Sequence, residues 1–238
     1  MSIKVSVVGA SGRMGKLALD LIEAAQDLQL HSALDSKSEL SDTSGADVIF
    51  DVTRLEVSQS VVSHALEQQT PVLVGTSGWS SSRLAEIESA VERSGSAVVV
   101  IPNFSVGSML ATRFAAEAAK HFATVEIVEA HHAHKVDSPS GTAVRTAELI
   151  AKQRGNTPLV TGADQDARGQ IVAGVPIHSL RLNGVSAKQD VLLGGDSELL
   201  TISHETTSVA AYSAGILAAI RFTATAKGLV VGLENVLG

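Results

Sequence analysis

Within the 238-residue chain, the run Glu129-Ala-His-His-Ala-His-Lys-Val-Asp-Ser-Pro-Ser-Gly-Thr-Ala143 holds the side chains best suited to moving a proton beside an anion. An imidazole titrates near neutrality and can donate a proton, and a neighbouring ammonium stabilises negative charge as it develops. His131 and Lys135 supply those two groups four residues apart. The preceding Val125-Glu-Ile-Val-Glu-Ala-His131 is β-branched and alternating, which predicts a strand delivering His131 and His132 to opposite faces at its end. Asp137-Ser-Pro-Ser-Gly breaks that strand, and Ala143, Val144, Ala147, Ile150 and Ala151 recur at helical spacing. Ser140, Gly141 and Thr142 therefore fall at a helix N-terminus, where unpaired N–H groups and the positive end of the helix dipole attract an anion.

A zinc site built on His131, His132 and His134 is disfavoured, because alternation turns His131 away from its neighbour and no cysteine or matched carboxylate spacing completes the ligand set. A solvated histidine-rich loop without function would account for a lone histidine, but leaves Lys135 and the Ser-Gly-Thr helix start unexplained.

Composition limits what else the chain can be. At 45% hydrophobic residues it can bury a full core, and its length suits one large or two small domains. A net charge of −7 without a long basic run argues against sequence-independent nucleic-acid binding. With no cysteine there is no disulfide framework, thiolate metal site or cysteine nucleophile, which fits a cytosolic protein. The N-terminal residues do not follow secretory order, and no apolar run is long enough to span a bilayer.

The elements that must position the loop begin with Ile3 to Val8, an apolar run leading into Gly9-Ala-Ser-Gly-Arg-Met-Gly15. Met14, Leu17, Ala18, Leu21, Ile22 and Ala25 then form one helical stripe. This is strand, glycine turn, helix, with glycines placed to let the backbone approach a pyrophosphate. The spacing G-x-x-G-x-x-G is one residue longer than the commonest dinucleotide fingerprint. A second strand, Leu28 to Leu34, ends at Asp35, placed to accept hydrogen bonds from an adenosine ribose. Asp35 would repel a 2′-phosphate whereas Arg13 and Lys37 could neutralise one, so the expectation is NADH preference with some use of NADPH.

Strand and helix patterns continue through Asp47 to Thr53, Val57 to Leu66, Pro71 to Ser77, Leu84 to Val91 and Ala97 to Ile101. Uniformly apolar strands alternating with amphipathic helices predict a parallel sheet covered on both faces. Gly75, Thr76 and Ser77, with Pro102, Asn103, Phe104 and Ser105, fall on the rim at the strands' C-terminal ends, where a nicotinamide half would bind.

A helix with Ala111, Phe114, Ala115, Ala118, Ala119 and Phe122 on its apolar stripe leads to the histidine strand. The stretch from Gly155 to Gly174 reads as a mobile loop. Three closely spaced runs, Ile177 to Leu182, Gln189 to Leu193 and Leu199 to His204, are separated by Asn183-Gly184 and Gly194-Gly-Asp196 and predict hairpins in a mixed or antiparallel sheet. A long helix around Val209 to Arg221 and an apolar tail, Gly228 to Leu233, return to the first sheet. The expected fold is thus α/β: a Rossmann-like parallel-sheet domain over residues 1–104 and 211–238, and an α+β domain with a mixed or antiparallel sheet over 105–210.

Taken together, these residues resemble the 4-hydroxy-tetrahydrodipicolinate reductase (dihydrodipicolinate reductase) family. The Glu129 to Ala143 run is similar to that family's E-x-H-H-x-x-K-x-D-x-P-S-G-T-A signature, supported by Val8 to Gly15, Asp51-Val-Thr53, Gly75-Thr-Ser-Gly78, Asn103-Phe-Ser105 and the Gly228 to Leu233 tail. The resemblance covers essentially the whole chain, and the Arg181-Leu-Asn-Gly segment brings it nearest to the shorter actinobacterial form. It departs at Val209, where an arginine is expected.

The resemblance implies reduction of a cyclic, imine-conjugated dicarboxylate in lysine and diaminopimelate biosynthesis, with NADH and/or NADPH. It implies His131 as general acid, Lys135 assisting protonation, and His132, Ser140, Gly141 and Thr142 binding substrate carboxylates. Gly9, Ala10, Ser11, Gly12, Arg13, Met14, Asp35, Gly75 to Ser77 and Pro102 to Ser105 would hold the cofactor. It further implies two domains hinged around a cleft, a homotetramer assembled through the second domain's sheet, cytoplasmic residence, and no metal, nucleic-acid or membrane partner. A reductase of another pathway and a non-catalytic dinucleotide sensor are the rival functions; the sensor has no use for His131 and Lys135 beside an anion cradle.

Overall fold

The computed structural model describes residues 2–155, 159 and 165–238. It divides into two compact units, Met1–Val106 with Val209–Gly238, and Gly107–Ser208. The first begins with β1 (Ile3–Val8), α1 (Arg13–Ala24), β2 (Leu28–Leu34), β3 (Val48–Asp51), α2 (Leu55–Glu67), β4 (Val72–Val74), α3 (Ser81–Ser94) and β5 (Ala97–Val100). β3, β4 and β5 are buried along their whole lengths, as strands covered on both faces must be. The helices meet them with the apolar sides expected: Ala18 and Ile22 of α1, and Val61, Val62, Ala65 and Leu66 of α2, are buried.

The second unit contains most of α4 (Val106–Ala118), then β6 (Thr124–His132), α5 (Gly141–Arg154), β7 (Gln170–Val172), β8 (Val175–Leu182), β9 (Ala187–Gly194) and β10 (Leu199–Thr206). Its sheet has the order β10-β9-β6-β8-β7, with β6 and β8 parallel and the other pairs antiparallel. One face is filled by Val125, Ile127, Ile177, Val191 and Leu193 against Ala115, Ala119, Ala143, Ala147 and Ile150. Each large aliphatic side chain fully buried there contributes about 2 kcal/mol.

Three expectations are corrected in this unit. The turn at Asn183-Gly184 does not make a hairpin, because β6 lies between β8 and β9; residues 183–186 instead cross the C-terminal end of β6. β6 pairs along one edge with β8 and along the other with β9, so the two strands flanking the turn bond to it rather than to each other. The stretch from Gly155 to Gly174 is not all loop: a 3₁₀ turn, Asp166–Arg168, and β7 lie within it, while 156–158 and 160–164 are outside the described residues. Phe114 is 56% exposed, since the buried side of α4 runs through Ser108, Thr112, Ala115 and Ala116 instead.

The chain then returns to the first unit. Val209 opens a 3₁₀ turn, Val209–Tyr212, so the last long helix, α6, is shorter than expected at Ser213–Thr223. β11 (Gly228–Val231) pairs parallel with β5, and α7 (Glu234–Leu237) ends the chain. The first sheet is parallel throughout, in the order β11-β5-β4-β3-β1-β2. Its connections reverse direction between β1 and β3, which opens a crevice at their C-terminal ends. Among the described residues, no helix is long and apolar enough to cross a membrane.

Candidate active site

The glycine loop lies at that reversal point. Gly9 and Ala10 donate their N–H groups to Leu34 O at 3.0 and 2.9 Å, tying the loop to the end of β2 and setting Asp35 beside it. Gly9 has φ +92°, and a Cβ there would stand 2.8 Å from Val52 O; a Cβ on Gly15 would stand 2.2 Å from Gly9 O. Only glycine fits at either position. α1 starts at Gly12 with no side chain capping its first turn, which leaves N–H groups for an external anion and fits a dinucleotide pyrophosphate. Asp35 is exposed, and its Oδ1 accepts from Lys37 N at 2.8 Å and from Ser38 Oγ at 3.3 Å.

The neighbouring loops are fastened from below. Asp51, fully buried at the end of β3, accepts from Thr53 N at 3.1 Å, Thr53 Oγ1 at 2.6 Å and Thr76 Oγ1 at 2.8 Å. Its main-chain oxygen accepts from Gly75 N at 2.8 Å. The hydroxyl of Thr76 and the ring of Phe104 are thus engaged inside the unit: Phe104 is buried against Phe50, with ring centroids 5.6 Å apart, and packs over Gly75. Asn103 Oδ1 accepts from Ser105 N at 2.9 Å, whereas Pro102 and Ser77 are exposed on the rim.

In the second unit, β6 places Val125, Ile127, Glu129 and His131 on one face and Val128, Ala130 and His132 on the other. His131 and Glu129 share the inward face, and His131 Nδ1 lies 2.6 Å from Glu129 Oε2. The Glu129 carboxylate is fully buried and saturated with donors. Arg181 Nη1 and Nη2 donate to its two oxygens at 3.0 Å each, and Ser140 N donates at 3.2 Å. Burial alone would raise its pKa, but hydrogen bonds from His131, Arg181 and Ser179 outweigh that and hold it at about 2, against an ordinary 4.5. Glu129 is therefore anionic at neutral pH, and Nδ1 of His131 must carry the proton between them.

Ser140 caps α5 by accepting from Ala143 N at 3.2 Å, and Gly141, next in the chain, is exposed with open space where a Cβ would stand. Lys135 Nζ donates to both oxygens of Asp137, at 2.7 and 2.8 Å. Burial tends to raise the Asp137 pKa, but its bond from Lys135 prevails and lowers it. The two loop residues are joined to Glu129 through Arg181, whose Nη2 also donates to Asp137 O at 2.6 Å.

The structure thus brings His131, Lys135, Ser140 and Gly141 around one network, with Thr142 in the first turn of α5. His132 is exposed on the opposite face of β6 and is not part of that network. Among the described residues, no group of three or more potential ligands could hold a metal ion.

Comparison with known proteins decides the kinship. Residues 3–104 match the family model for the N-terminus of dihydrodipicolinate reductase, and residues 107–237 match that for its C-terminus. The chain belongs to the dihydrodipicolinate reductase family. It is 55% identical to the 4-hydroxy-tetrahydrodipicolinate reductase of Clavibacter sepedonicus, across all of this chain and 87% of the relative. The counterpart from Streptomyces griseus is 43% identical over 99% of this chain and 98% of its own. A dipicolinate-bound dihydrodipicolinate reductase from Paenisporosarcina sp. TG-14 superposes with a TM-score of 0.82 at 30% identity, covering the whole of both chains.

Against that family background, the residues missed by spacing alone are Arg181, Asp51 and the role of Glu129. A signal for two of them was present. Glu129 continues an inward alternation begun by Val125 and Ile127, and Arg181 continues one begun by Ile177, so each is a charge aimed at a core and in need of a partner.

Proposed function

We propose that the chain reduces 4-hydroxy-tetrahydrodipicolinate to tetrahydrodipicolinate in lysine and diaminopimelate biosynthesis, using NADH and/or NADPH. The observation carrying this is His131, bonded to a buried anionic glutamate at 2.6 Å, beside a serine-capped helix start and the Lys135 ammonium. Dipicolinate in the Paenisporosarcina reductase is a planar cyclic dicarboxylate, the ligand class that such a helix start and ammonium suit.

The first unit is the dinucleotide-binding domain, with Gly9 to Met14 at the pyrophosphate, Asp35 at the ribose, and Gly75 to Ser77 and Pro102 to Ser105 toward the nicotinamide. When bound, the nicotinamide supplies the hydride. The second unit binds substrate: Gly141, Thr142 and Ser140 take one carboxylate through N–H groups and a hydroxyl, and His132, outside the Glu129 network, takes part from the exposed C-terminal end of β6. Loss of the substrate's 4-hydroxyl as water leaves the conjugated imine, and hydride added at that ring carbon would push an electron pair toward the imine nitrogen. Lys135 stabilises that negative charge, and His131 gives the ring the proton that completes reduction, then regains one from water. Because Nδ1 is committed to Glu129, the transferred proton leaves from Nε2.

Asp35 beside Lys37 supports NADH preference with some NADPH use, and comparing kcat/KM for the two tests it; a strong preference for NADPH would remove Asp35 from the ribose role. We further propose that the chain assembles as a homotetramer in the cytoplasm; exposed Leu180, Leu182 and Leu199 on the outer face of the second sheet support an assembly surface there.

The deciding experiment is NADH oxidation by the purified protein, with substrate made in situ by a coupled synthase from pyruvate and aspartate semialdehyde. Oxidation that depends on the synthase is the expected result. Tight NADH binding without oxidation would favour a dinucleotide sensor or a reductase of another substrate.

A further inference from the structure

The most constrained charged group outside the assigned site residues is the Glu129–Arg181 pair. Glu129 stands two residues before His131 on the same face of β6, and Arg181 faces His131 across the parallel pairing with β8. Both η nitrogens of Arg181 are fully committed: each gives one bond to Glu129, and the remaining two go to Leu180 O at 2.7 Å and Asp137 O at 2.6 Å. Nε has no partner among the described residues, so the fork is held through its tip alone.

Together the two side chains tie four places into one frame: the His131 ring, the N-cap of α5 at Ser140, strand β8, and the loop bearing Lys135 and Asp137. A buried ion pair is weak support for stability, because desolvating both charges offsets most of their attraction. Apolar residues would serve the core equally well. What such residues could not do is accept a proton-bearing Nδ1 and fix one tautomer of the imidazole.

We propose that Glu129 and Arg181 are the positioning pair of this enzyme's acid. Glu129 holds the His131 ring with the proton on Nδ1, so that Nε2 faces the reaction, and it anchors the helix start that binds the substrate carboxylate. Arg181 fixes the Glu129 carboxylate and sets the Lys135 loop at a constant distance from His131. The inference rests on the reductase function proposed above, with His131 as proton donor.

The test pairs a spectroscopic readout with kinetics on the full-length protein. Histidine ring nitrogens labelled with ¹⁵N report which atom of His131 carries the proton, with His131→Ala assigning the signal. In the unaltered protein the neutral ring should carry its proton on Nδ1, and Glu129→Gln should abolish that preference while reducing kcat about 100-fold. NADH KM should change by less than about threefold, because the first unit is untouched. Arg181→Lys keeps the charge but not the fork, so its kcat loss should be smaller, about tenfold.

Glu129→Gln leaves Arg181 without its counter-charge and could fail to fold, so Glu129→Gln combined with Arg181→Met removes both charges together. This double variant should fold, bind NADH, and show the same loss of kcat and of the Nδ1–H signal. A proton on Nε2 in the unaltered protein, or full kcat in the folded double variant, would overturn the positioning role. An Nδ1–H signal lost in Glu129→Gln supports the role even if the unaltered protein oxidises no NADH, a result that would overturn the proposed reaction instead.

Discussion

In the parallel sheet, β3, β4 and β5 bury Val, Ile, Leu, Phe and Ala along their length and place one charged residue, Asp51, at a strand end. In the mixed sheet, β6 carries Glu129 to full burial partway along the strand and meets it with Arg181 from β8. The site proposed in the first unit is built from backbone: glycine turns, an uncapped helix start, and loops fastened by Asp51 beneath them. The site proposed in the second is built from side chains that converge from β6, β8, α5 and the loop between β6 and α5. A backbone site binds a ligand common to many enzymes, whereas a site of converging side chains can be tuned to one proton transfer.

The sharpest test of that division is to remove the proposed proton donor, His131, and the proposed charge-stabilising ammonium, Lys135, in turn. His131→Ala and Lys135→Ala should each lower kcat by about 10²- to 10⁴-fold while NADH affinity, read by fluorescence titration, stays within about twofold. Equal losses of turnover and NADH affinity would erase the distinction between the units.

Acid should separate them next. The Glu129 carboxyl is held at about 2, below its ordinary 4.5, so its protonated form is disfavoured in the folded state. Its stabilising contribution is complete above about pH 4.5, declines as pH falls, and is gone below about pH 2, amounting to roughly 3 kcal/mol at most. Urea unfolding between those limits should show stability falling with pH in the unaltered protein. The fall should be shallower in the Glu129→Gln, Arg181→Met double variant, and identical slopes would remove Glu129 as its cause.

One substitution, glycine to alanine, asks the same question of both loops. Gly15→Ala places a Cβ against the Gly9 and Ala10 backbone, so the loop must shift, at about 1–3 kcal/mol and about tenfold or more in NADH affinity. Gly141→Ala meets nothing within 4 Å and should leave stability and NADH binding intact. It should raise the substrate KM, because the new methyl lies at the helix start assigned to a carboxylate. A Gly141→Ala variant with unchanged substrate KM would remove that helix start from the binding site.

The contrast also explains what could be read from the amino acids in advance. The strand, glycine turn and helix through Gly9, Gly12 and Gly15, and the strand ending before Asp35, are legible because such turns depend on local conformation, which short-range spacing records. The strand-break-helix order from Val125 to Ala151 is legible for the same reason, through period and punctuation. Arg181 is not, because its partner lies 52 residues away and the pairing depends on β8 running parallel beside β6. The Asn183-Gly184 turn misled for a related cause: turn residues mark a reversal but do not say whether a third strand lies between the two they join. Phe114 fits a helical stripe by spacing, yet the stripe that packs is the one through Thr112 and Ala115, which only the position of the sheet decides.

The smallest effect concerns two serines that cap helices in the same way. Ser80 begins α3 of the first unit, is exposed, and accepts from Arg83 N at 3.5 Å. Ser140 begins α5 of the second, is 2% exposed, and accepts from Ala143 N at 3.2 Å. Removing the hydroxyl from Ser80 leaves an N–H that water can reach, so Ser80→Ala should cost only a few tenths of a kcal/mol. Removing it from Ser140 leaves the Ala143 N–H buried without an acceptor, so Ser140→Ala should cost about 1–2 kcal/mol in urea unfolding. If the two costs were equal, burial of polar groups would not be what distinguishes the second unit, and its sensitivity would have to come from the Glu129–Arg181 charges alone.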